Sequence, residues 1–251
     1  MFHRLLCFVP VLTFGAVVAT ATPVNETVIF QTGFETTDSP GYTVGALNGQ
    51  NGWCCSAVGT VENTTVFAGS QAVQFAASGT TGQNVDDHGL SYTATGNPNF
   101  IVTMSTEFME GATGTSSLWD VLAAFGSPGF LGQLFVDNGV ASLDGNGSVV
   151  VSVGVWNEYS LMLNFNTQTE TAFVNGQVIA SEPFATPATG LNPVQGLAFG
   201  INSSPGTDSG YWDDVSVVST SPEPSSLELL FLGLVAAAVI AKSQLATRSA
   251  R

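Results

Sequence analysis

The sequence has very little positive charge. Its four basic residues, against nineteen Asp and Glu, are Arg4, Lys242, Arg248 and Arg251, so the long central region has none. A nucleic-acid-binding protein needs cations to displace phosphate counterions, and a P-loop or an arginine clamp needs a Lys or an Arg at the site. These classes are excluded for the central region, and nucleic acid is not an expected partner.

The first 21 residues are typical of a secretory signal peptide. Arg4 gives a short positive start, residues 5–18 are apolar and uncharged, and Ala19 and Ala21 fit the small-x-small pattern of a cleavage site. The apolar run is shorter than the roughly 20 residues that a membrane span needs, which favours a cleaved signal over an anchor helix. We therefore expect an exported mature chain that begins at Thr22.

Three features follow one another in residues 221–251. Pro222, Glu223 and Pro224 precede a mostly apolar stretch at about 227–241, and the basic residues come last. An apolar run of about 15 residues is marginal for a transmembrane helix, and the cations would hold its end in the cytoplasm. This order resembles the PEP-CTERM protein-sorting signal of Gram-negative bacteria, although the basic residues are more scattered than the usual Arg cluster of that family.

The sorting resemblance implies a processing pathway. It implies an exosortase-type enzyme as a partner, a precursor held in the membrane by the C-terminal helix, and cleavage near the Pro-Glu-Pro. The product would then reach the cell envelope or the extracellular matrix. An ordinary tail anchor is the alternative.

Residues 22–220 show the pattern of one all-β domain. Apolar and polar residues alternate over 100–108 and 160–165, and Asn-Gly pairs at 138–139 and 175–176 separate apolar runs. Helical periodicity is hard to find. The low-complexity stretch from Ser78 to Asp87 is predicted to be a loop.

Four segments in order resemble the laminin-G-like, concanavalin A-like superfamily. They contain a Leu-Asn-Gly-Gln loop, a strand, a Trp followed by an Asn-Gly hairpin, and a closing strand with an acidic pair, at residues 30–53, 70–75, 155–179 and 196–217. The resemblance implies a jelly-roll sandwich of two antiparallel sheets with the chain ends on neighbouring strands.

The catalytic patterns of this fold are missing. Glycosidases of this fold place acids at i, i+2 and i+4 of one strand, so that two carboxylates share a face about 5 Å apart. The best local pair here, Glu107 and Glu110, has a spacing of three and falls on opposite faces. Lyases of this fold use Arg, His, Tyr or Lys to neutralise a uronate and move its proton. The predicted mature domain has no Lys or Arg, and His88 is its sole histidine. The sequence therefore predicts that the protein is not an enzyme.

Structural calcium is the predicted cofactor. Carboxylates without cations repel one another, and Ca²⁺ relieves this repulsion with oxygen ligands. Glu35 lies at the end of the first strand, and Asp213 and Asp214 lie in the last. If these strands are neighbours, one Ca²⁺ joins the chain ends, as the resemblance suggests. Asp86 and Asp87 are a weaker loop site, and solvated surface acids are the alternative for all of them.

Carbohydrate is the predicted ligand. Sugars stack on exposed aromatic faces and hydrogen-bond to Asn and Asp. Trp53 and Tyr42 lie in a Gly/Asn-rich loop and are predicted to bind carbohydrate, whereas Trp119 and Trp156 lie in strand-like runs and are assigned to the core. The negative charge favours a neutral glycan, or an acidic one bridged by Ca²⁺.

Cysteine is sparse. Cys7 leaves with the signal peptide, and Cys54 and Cys55 remain as neighbours. Oxidising surroundings favour a vicinal disulfide between them, with intermolecular pairing as the alternative.

These observations together predict an exported cell-envelope protein. Its predicted role is the non-catalytic binding or organisation of exopolysaccharide. Two alternatives stay open: a structural or adhesive surface protein with protein partners, and a degenerate glycosidase-fold enzyme.

Overall fold

The computed structural model describes most of the central region of the chain, with some gaps. The described residues are 24–56, 58–76, 83–90, 100–111, 117–127, 129–189, 194–203 and 208–222. The predicted signal peptide with Ala19 and Ala21, the sorting residues Glu223 and Pro224, and the predicted helix at about 227–241 lie outside them. Within the described residues, no helix is long and apolar enough to cross a membrane.

The described residues form strands joined by turns. One compact unit runs from Val24 to Pro222, and its last strand continues beyond Thr220, where the sequence placed the end of the domain. The strands are β1 (Val24–Thr32), β2 (Gly45–Ala46), β3 (Trp53–Cys54), β4 (Gly59–Glu62), β5 (Ala72–Ala76), β6 (Asn84–Gly89), β7 (Ile101–Glu110), β8 (Leu118–Phe125), β9 (Phe130–Asp137), β10 (Val140–Leu143), β11 (Asn146–Val150), β12 (Asn157–Asn164), β13 (Thr169–Val174), β14 (Gln177–Pro183), β15 (Gly196–Ser203) and β16 (Ser209–Pro222).

The strands pair into two antiparallel sheets. Among the described residues, the nine-stranded sheet has the order β14-β13-β12-β7-β16-β5-β4-β2, with β1 also paired to β16. The seven-stranded sheet has the order β11-β10-β9-β8-β15-β6-β3. The prediction of an all-β domain with two antiparallel sheets is confirmed.

The first and last strands are neighbours, as the resemblance implied. Thr32 of β1 pairs with Val215 of β16, and Val28 pairs with Val218. This pairing brings the acidic residues that follow β1 close to those within β16.

Alternating burial explains why these segments form strands. Along β7, Val102, Met104 and Phe108 are buried, while Thr103 and Glu107 are partly exposed. Side chains of a strand point to opposite faces in turn, so this period-2 pattern buries one face and leaves the other toward solvent.

Aromatic side chains fill the space between the two sheets. Trp212 of β16 stacks on Phe199 of β15 with ring centroids 5.4 Å apart, and Trp119 meets Trp212 edge-on at 5.8 Å. Both tryptophans are fully buried. The assignment of Trp119 to the core is confirmed.

Candidate functional site

The two aromatic residues predicted to bind carbohydrate lie inside the domain. Trp53 is 1% exposed and Tyr42 is 3% exposed. The indole Nε1 of Trp53 donates a hydrogen bond of 2.9 Å to the hydroxyl oxygen of Tyr42. Trp53 pairs with His88 between β3 and β6, and the two rings meet at 5.0 Å. The prediction that Trp53 and Tyr42 stack on a sugar is therefore wrong, because solvent reaches neither ring.

The loop before Trp53 uses its polar groups within the fold. The amide oxygen of Gln50 accepts a hydrogen bond from the N–H of Thr43, and its Nε2 donates to the carbonyls of Thr43 and Ala46. Asn51 adopts a left-handed backbone (φ 49°) that lets the chain turn into β3. The Gly/Asn-rich composition suggested a ligand-binding loop. In the structure, the Gln50 side chain of this loop forms hydrogen bonds within the loop itself.

Cys54 and Cys55 are joined by a disulfide. Both residues are exposed, and Cys54 pairs with Asp87 between β3 and β6. The bridge therefore lies within one chain, at the end of a two-residue strand on the edge of the seven-stranded sheet.

Side-chain atoms of the three residues predicted to bind Ca²⁺ lie near one glycine, although the Glu35 carboxylate itself is directed to Ser70 and Gln71. A Cβ on Gly33 would lie 3.2 Å from Oδ1 of Asp214, 3.9 Å from Oδ1 of Asp213 and 3.6 Å from Cγ of Glu35. The pairing of β1 with β16 produces this convergence. The part of the prediction that places these residues near one another agrees with the structure.

Backbone N–H groups already stabilise Asp213. Its Oδ2 accepts hydrogen bonds from Phe67 and Ala68 at 3.0 and 3.1 Å, and its Oδ1 accepts one from Asp214 at 2.8 Å. Burial nevertheless raises the pKa of Asp213 to about 6. Asp213 is fully buried and therefore is not the solvated surface acid of the alternative.

Glu35 is held in a similar way. Its Oε1 accepts from the N–H groups of Ser70 and Gln71, and its Oε2 accepts from the Ser70 hydroxyl at 2.5 Å. Burial acts to raise the pKa of Glu35, but these hydrogen bonds outweigh it and leave the pKa below its ordinary value. These hydrogen bonds stabilise the Glu35 carboxylate, a role that the sequence analysis predicted for a metal ion.

The three predicted ligands do not form a compact set. Among the described residues, Cys, His, Asp or Glu ligand atoms lie within 4.8 Å of one another in two groups of three, and neither is Glu35 with Asp213 and Asp214. The groups are Cys54, Cys55 and Asp87, and Asp144, Glu170 and Glu182. Calcium at Glu35, Asp213 and Asp214 stays a prediction.

An exposed aromatic pair lies beside Asp213. Phe67 is 46% exposed, and its ring centroid is 5.8 Å from that of Trp156. Trp156 directly precedes β12 and is partly exposed, so its assignment to the core is wrong. The backbone of Phe67 is fixed by its hydrogen bond to Asp213.

Carboxylates lie on the outer face of the adjoining strands. Glu107 of β7 is opposite Glu158 of β12 on one side and Asp213 of β16 on the other. Burial, together with repulsion from Glu158, Asp214 and Asp213, raises the pKa of Glu107 to about 6. Glu110 is buried with the inward residues of β7, which confirms that Glu107 and Glu110 face opposite sides.

His88 has a packing role and lies in β6 rather than in a loop. Its Nε2 is 3.1 Å from the carbonyl oxygen of Asn51, and its ring lies 4.2 Å from that of Phe30. Burial lowers the pKa of His88. Asp86 and Asp87 belong to the same strand, so the loop predicted up to residue 87 is wrong from Asn84 onward.

The seven-stranded sheet carries an open cleft of about 710 Å³ on its β9–β11 hairpins. Its lining contains small and polar side chains and no aromatic ring: Asp137, Asn138, Val140, Ser142, Gly145, Gly147 and Ser148. A sugar ring entering this cleft would find hydroxyl and carboxylate partners but no stacking surface, which makes it a poorer carbohydrate site than the Phe67–Trp156 pair.

No protein-family model matches the chain, and no curated protein sequence matches it. Solved structures do match. The endo-β-1,4-glucuronan lyase from the fungus Trichoderma reesei has a TM-score of 0.52 at 15% identity, over 76% of this chain and 95% of its own. The Cellulose induced protein Cip1 has a TM-score of 0.50 at 13% identity, over 75% of this chain and 96% of its own. These likenesses show a shared jelly-roll fold.

This comparison corrects the prediction that the protein is not an enzyme. The glucuronan lyase is an enzyme with this fold, so the missing sequence motifs do not exclude catalysis. Within one strand, Glu107 and Glu110 face opposite sides. Sheet register instead brings Glu107 together with Glu158 and Asp213, from three separate strands.

Proposed function

We propose that this chain is an exported protein of the cell envelope or extracellular matrix that binds polysaccharide through the Phe67–Trp156 pair. One observation carries the proposal: Phe67 is 46% exposed against Trp156, whereas the other tryptophans, Trp53, Trp119 and Trp212, are at most 1% exposed. The fold buries these three tryptophans almost completely, so a ring pair left toward solvent needs an explanation.

The surroundings of the pair suit a sugar. The apolar faces of a pyranose pack on aromatic rings, and its hydroxyl groups donate hydrogen bonds to carboxylates. Glu158 of β12 lies two residues after Trp156, and Glu107 is its cross-strand neighbour. The carboxylates therefore provide acceptors next to a stacking surface.

The charge of the domain selects the glycan class. With no Lys or Arg in the central region, the carboxylates near Phe67 have no basic partner and repel an acidic polysaccharide. A neutral polysaccharide is the expected ligand, or an acidic one bridged by Ca²⁺.

Export and sorting are part of the proposal. The support is the charge distribution, because every Lys and Arg of the chain lies in one of the two terminal signals. Signal cleavage after Ala21 and processing near Pro222, Glu223 and Pro224 by an exosortase-type enzyme would remove all of them. Before processing, the C-terminal helix would hold the precursor in the membrane.

Alanine variants of the aromatic pair test the binding proposal. Phe67→Ala and Trp156→Ala are expected to weaken polysaccharide binding by about 10- to 100-fold, as truncation of a central aromatic anchor does. Affinity electrophoresis against neutral and acidic polysaccharides gives the measurement. Phe173→Ala is the matched control, since Phe173 is a partly exposed ring of β13 outside the pair, and it should keep full affinity.

Two outcomes would contradict polysaccharide binding by the Phe67–Trp156 pair. Unchanged affinity in both pair variants would place the glycan elsewhere on the domain. Failure of the parent protein to bind any polysaccharide, with retention of surface proteins, would favour the structural or adhesive alternative.

Polysaccharide cleavage is a second candidate, favoured by Glu107. A carboxyl group with a pKa of about 6 suits a general acid or base at neutral pH, and Glu107 lies on the strands beside the aromatic pair. Assays for new reducing ends and for unsaturated ends separate hydrolysis from elimination. Any activity should disappear in Glu107→Gln and persist in Glu26→Gln, a change at an exposed acid of β1.

Structural Ca²⁺ at Glu35, Asp213 and Asp214 also belongs to the proposal. The position of Glu35, Asp213 and Asp214 around Gly33 supports it, because an ion there would join the segments that follow β1 and lie within β16.

A further inference from the structure

Three carboxylates meet at one edge of the sandwich. Glu170 of β13 and Glu182 of β14 are direct cross-strand partners, and Asp144 lies in the turn between β10 and β11. Their oxygen atoms lie within 4.8 Å of one another. β14 ends the nine-stranded sheet and β11 ends the seven-stranded sheet, so the group bridges both sheets.

The central carboxylate of this group has no N–H or O–H donor among the described residues. Glu170 is 0% exposed, and its Oε1 and Oε2 would take part in a hydrogen bond only through a proton shared with Asp144. Oε1 of Glu182 is also buried without a partner, while its Oε2 accepts from Nδ2 of Asn146 at 2.7 Å. A buried carboxylate is strongly unfavourable unless a cation or donors compensate it, and like charges directly opposite in a sheet repel.

The fold leaves room for this charge. A Cβ on Gly132 of β9 would overlap both carboxylate oxygens of Glu170, so a glycine is required opposite it. The N–H of Asp144 donates to the carbonyl of Gln133 at 2.9 Å, which fixes Asp144 beside the same stretch of β9. A core that needed only apolar packing would fill this space with a side chain on β9.

We propose that Asp144, Glu170 and Glu182 bind one divalent cation, with Ca²⁺ as the expected ion, and that this ion ties the edges of the two sheets together. Three carboxylates from two hairpins offer oxygen ligands in the flexible geometry that Ca²⁺ accepts. Mg²⁺ demands a near-ideal octahedron and keeps several waters, which suits a fully buried Glu170 less well. The described residues contain no Lys or Arg that could replace the ion.

A proton shared between Asp144 and Glu170 is the competing explanation. Burial and the neighbouring carboxylates raise the pKa of Glu170 to about 9 and that of Asp144 to about 6. A proton removes one negative charge and leaves Oε1 of Glu182 without a partner, whereas a divalent ion can contact all three residues. The two explanations differ in their response to added Ca²⁺.

The melting temperature of the full chain distinguishes them. The protein is stripped with EDTA, desalted and melted at pH 7.5 with and without CaCl₂. All samples carry Glu35→Gln, which removes one of the ligands proposed for Ca²⁺ at Glu35, Asp213 and Asp214. A rise in Tm of about 5 to 10 °C is expected when free Ca²⁺ is about 100 times its Kd. Glu170→Gln should abolish this rise, and Asp137→Asn, a change at an exposed acid of β9, should keep it.

The calcium-free Glu170→Gln variant also distinguishes loss of the ion from a folding defect. Gln has the shape of Glu without its charge, so calcium-free Glu170→Gln should melt at or above the calcium-free parent. Elemental analysis of desalted protein should find one Ca²⁺ fewer per chain in this variant. An equal rise in Glu170→Gln and the parent, or no rise in the parent, would overturn the site, and the second result would assign the group to a shared proton.

Discussion

A single hydrogen bond explains why Trp53 belongs to the structure rather than to a binding surface. Its indole N–H is buried and donates to Tyr42, whose ring packs edge-on against Phe34 at 5.3 Å. A buried donor that loses its acceptor costs the full desolvation of that group. The pair therefore stabilises the fold as a unit.

Tyr42→Phe tests this role at the residue scale. The change leaves the Trp53 N–H unpaired, so the free energy of unfolding should fall by about 1–3 kcal/mol. Urea unfolding gives the measurement, and polysaccharide affinity should not change. Tyr211→Phe is the control with a smaller loss, because Tyr211 is partly exposed and Gln74, which donates to its hydroxyl, also reaches Ser209. Loss of affinity in Tyr42→Phe without loss of stability would restore the carbohydrate role of Tyr42.

At the scale of elements, the disulfide closes the smallest possible loop. Cys54 and Cys55 are adjacent, so their bridge removes little entropy from the unfolded chain, about 1 kcal/mol in the loop-closure account. Dithiothreitol should therefore lower Tm by about 2–4 °C at most. Scanning calorimetry of the reduced and oxidised protein gives the measurement. A much larger drop would show that the bridge holds β3 against β6.

Strand alternation was readable from the sequence, whereas strand pairing was readable only at the Asn-Gly hairpins and, through the resemblance, between the first and last strands. The even-numbered apolar residues of β7 predicted its buried face, and Glu170 shares the inward parity of Ala172 and Val174, a signal that could have revealed a buried acid. The neighbours of Glu107 come from β12 and β16, and no local pattern specifies that register. Phe67 was missed because it lies in a polar turn, outside any periodic run.

At the scale of the molecule, the described residues contain many carboxylates and no Lys or Arg to pair with them. Backbone N–H groups stabilise Glu35 and Asp213, and several carboxyl groups, Asp213 among them, are buried or half-buried. Burial is the largest cause of a raised pKa, to about 6 or 9, in five of them: Asp86, Glu107, Asp144, Glu170 and Asp213. In the unfolded chain, carboxyl groups titrate near pH 4.

These shifts predict an unusual dependence of stability on pH. Because the folded state binds protons more tightly than the unfolded state, lowering the pH from about 6 to about 4 stabilises the fold, and raising it through the folded pKa values removes that stability. Glu35, whose pKa is lowered, acts in the opposite direction. In EDTA, calorimetry should find Tm about 5 °C or more higher at pH 5 than at pH 8. Saturating Ca²⁺ should flatten this difference, since the ion stabilises ionised ligands. A Tm that falls steadily from pH 8 to pH 5 in EDTA would contradict the assignment of these carboxyl groups as buried and unpaired.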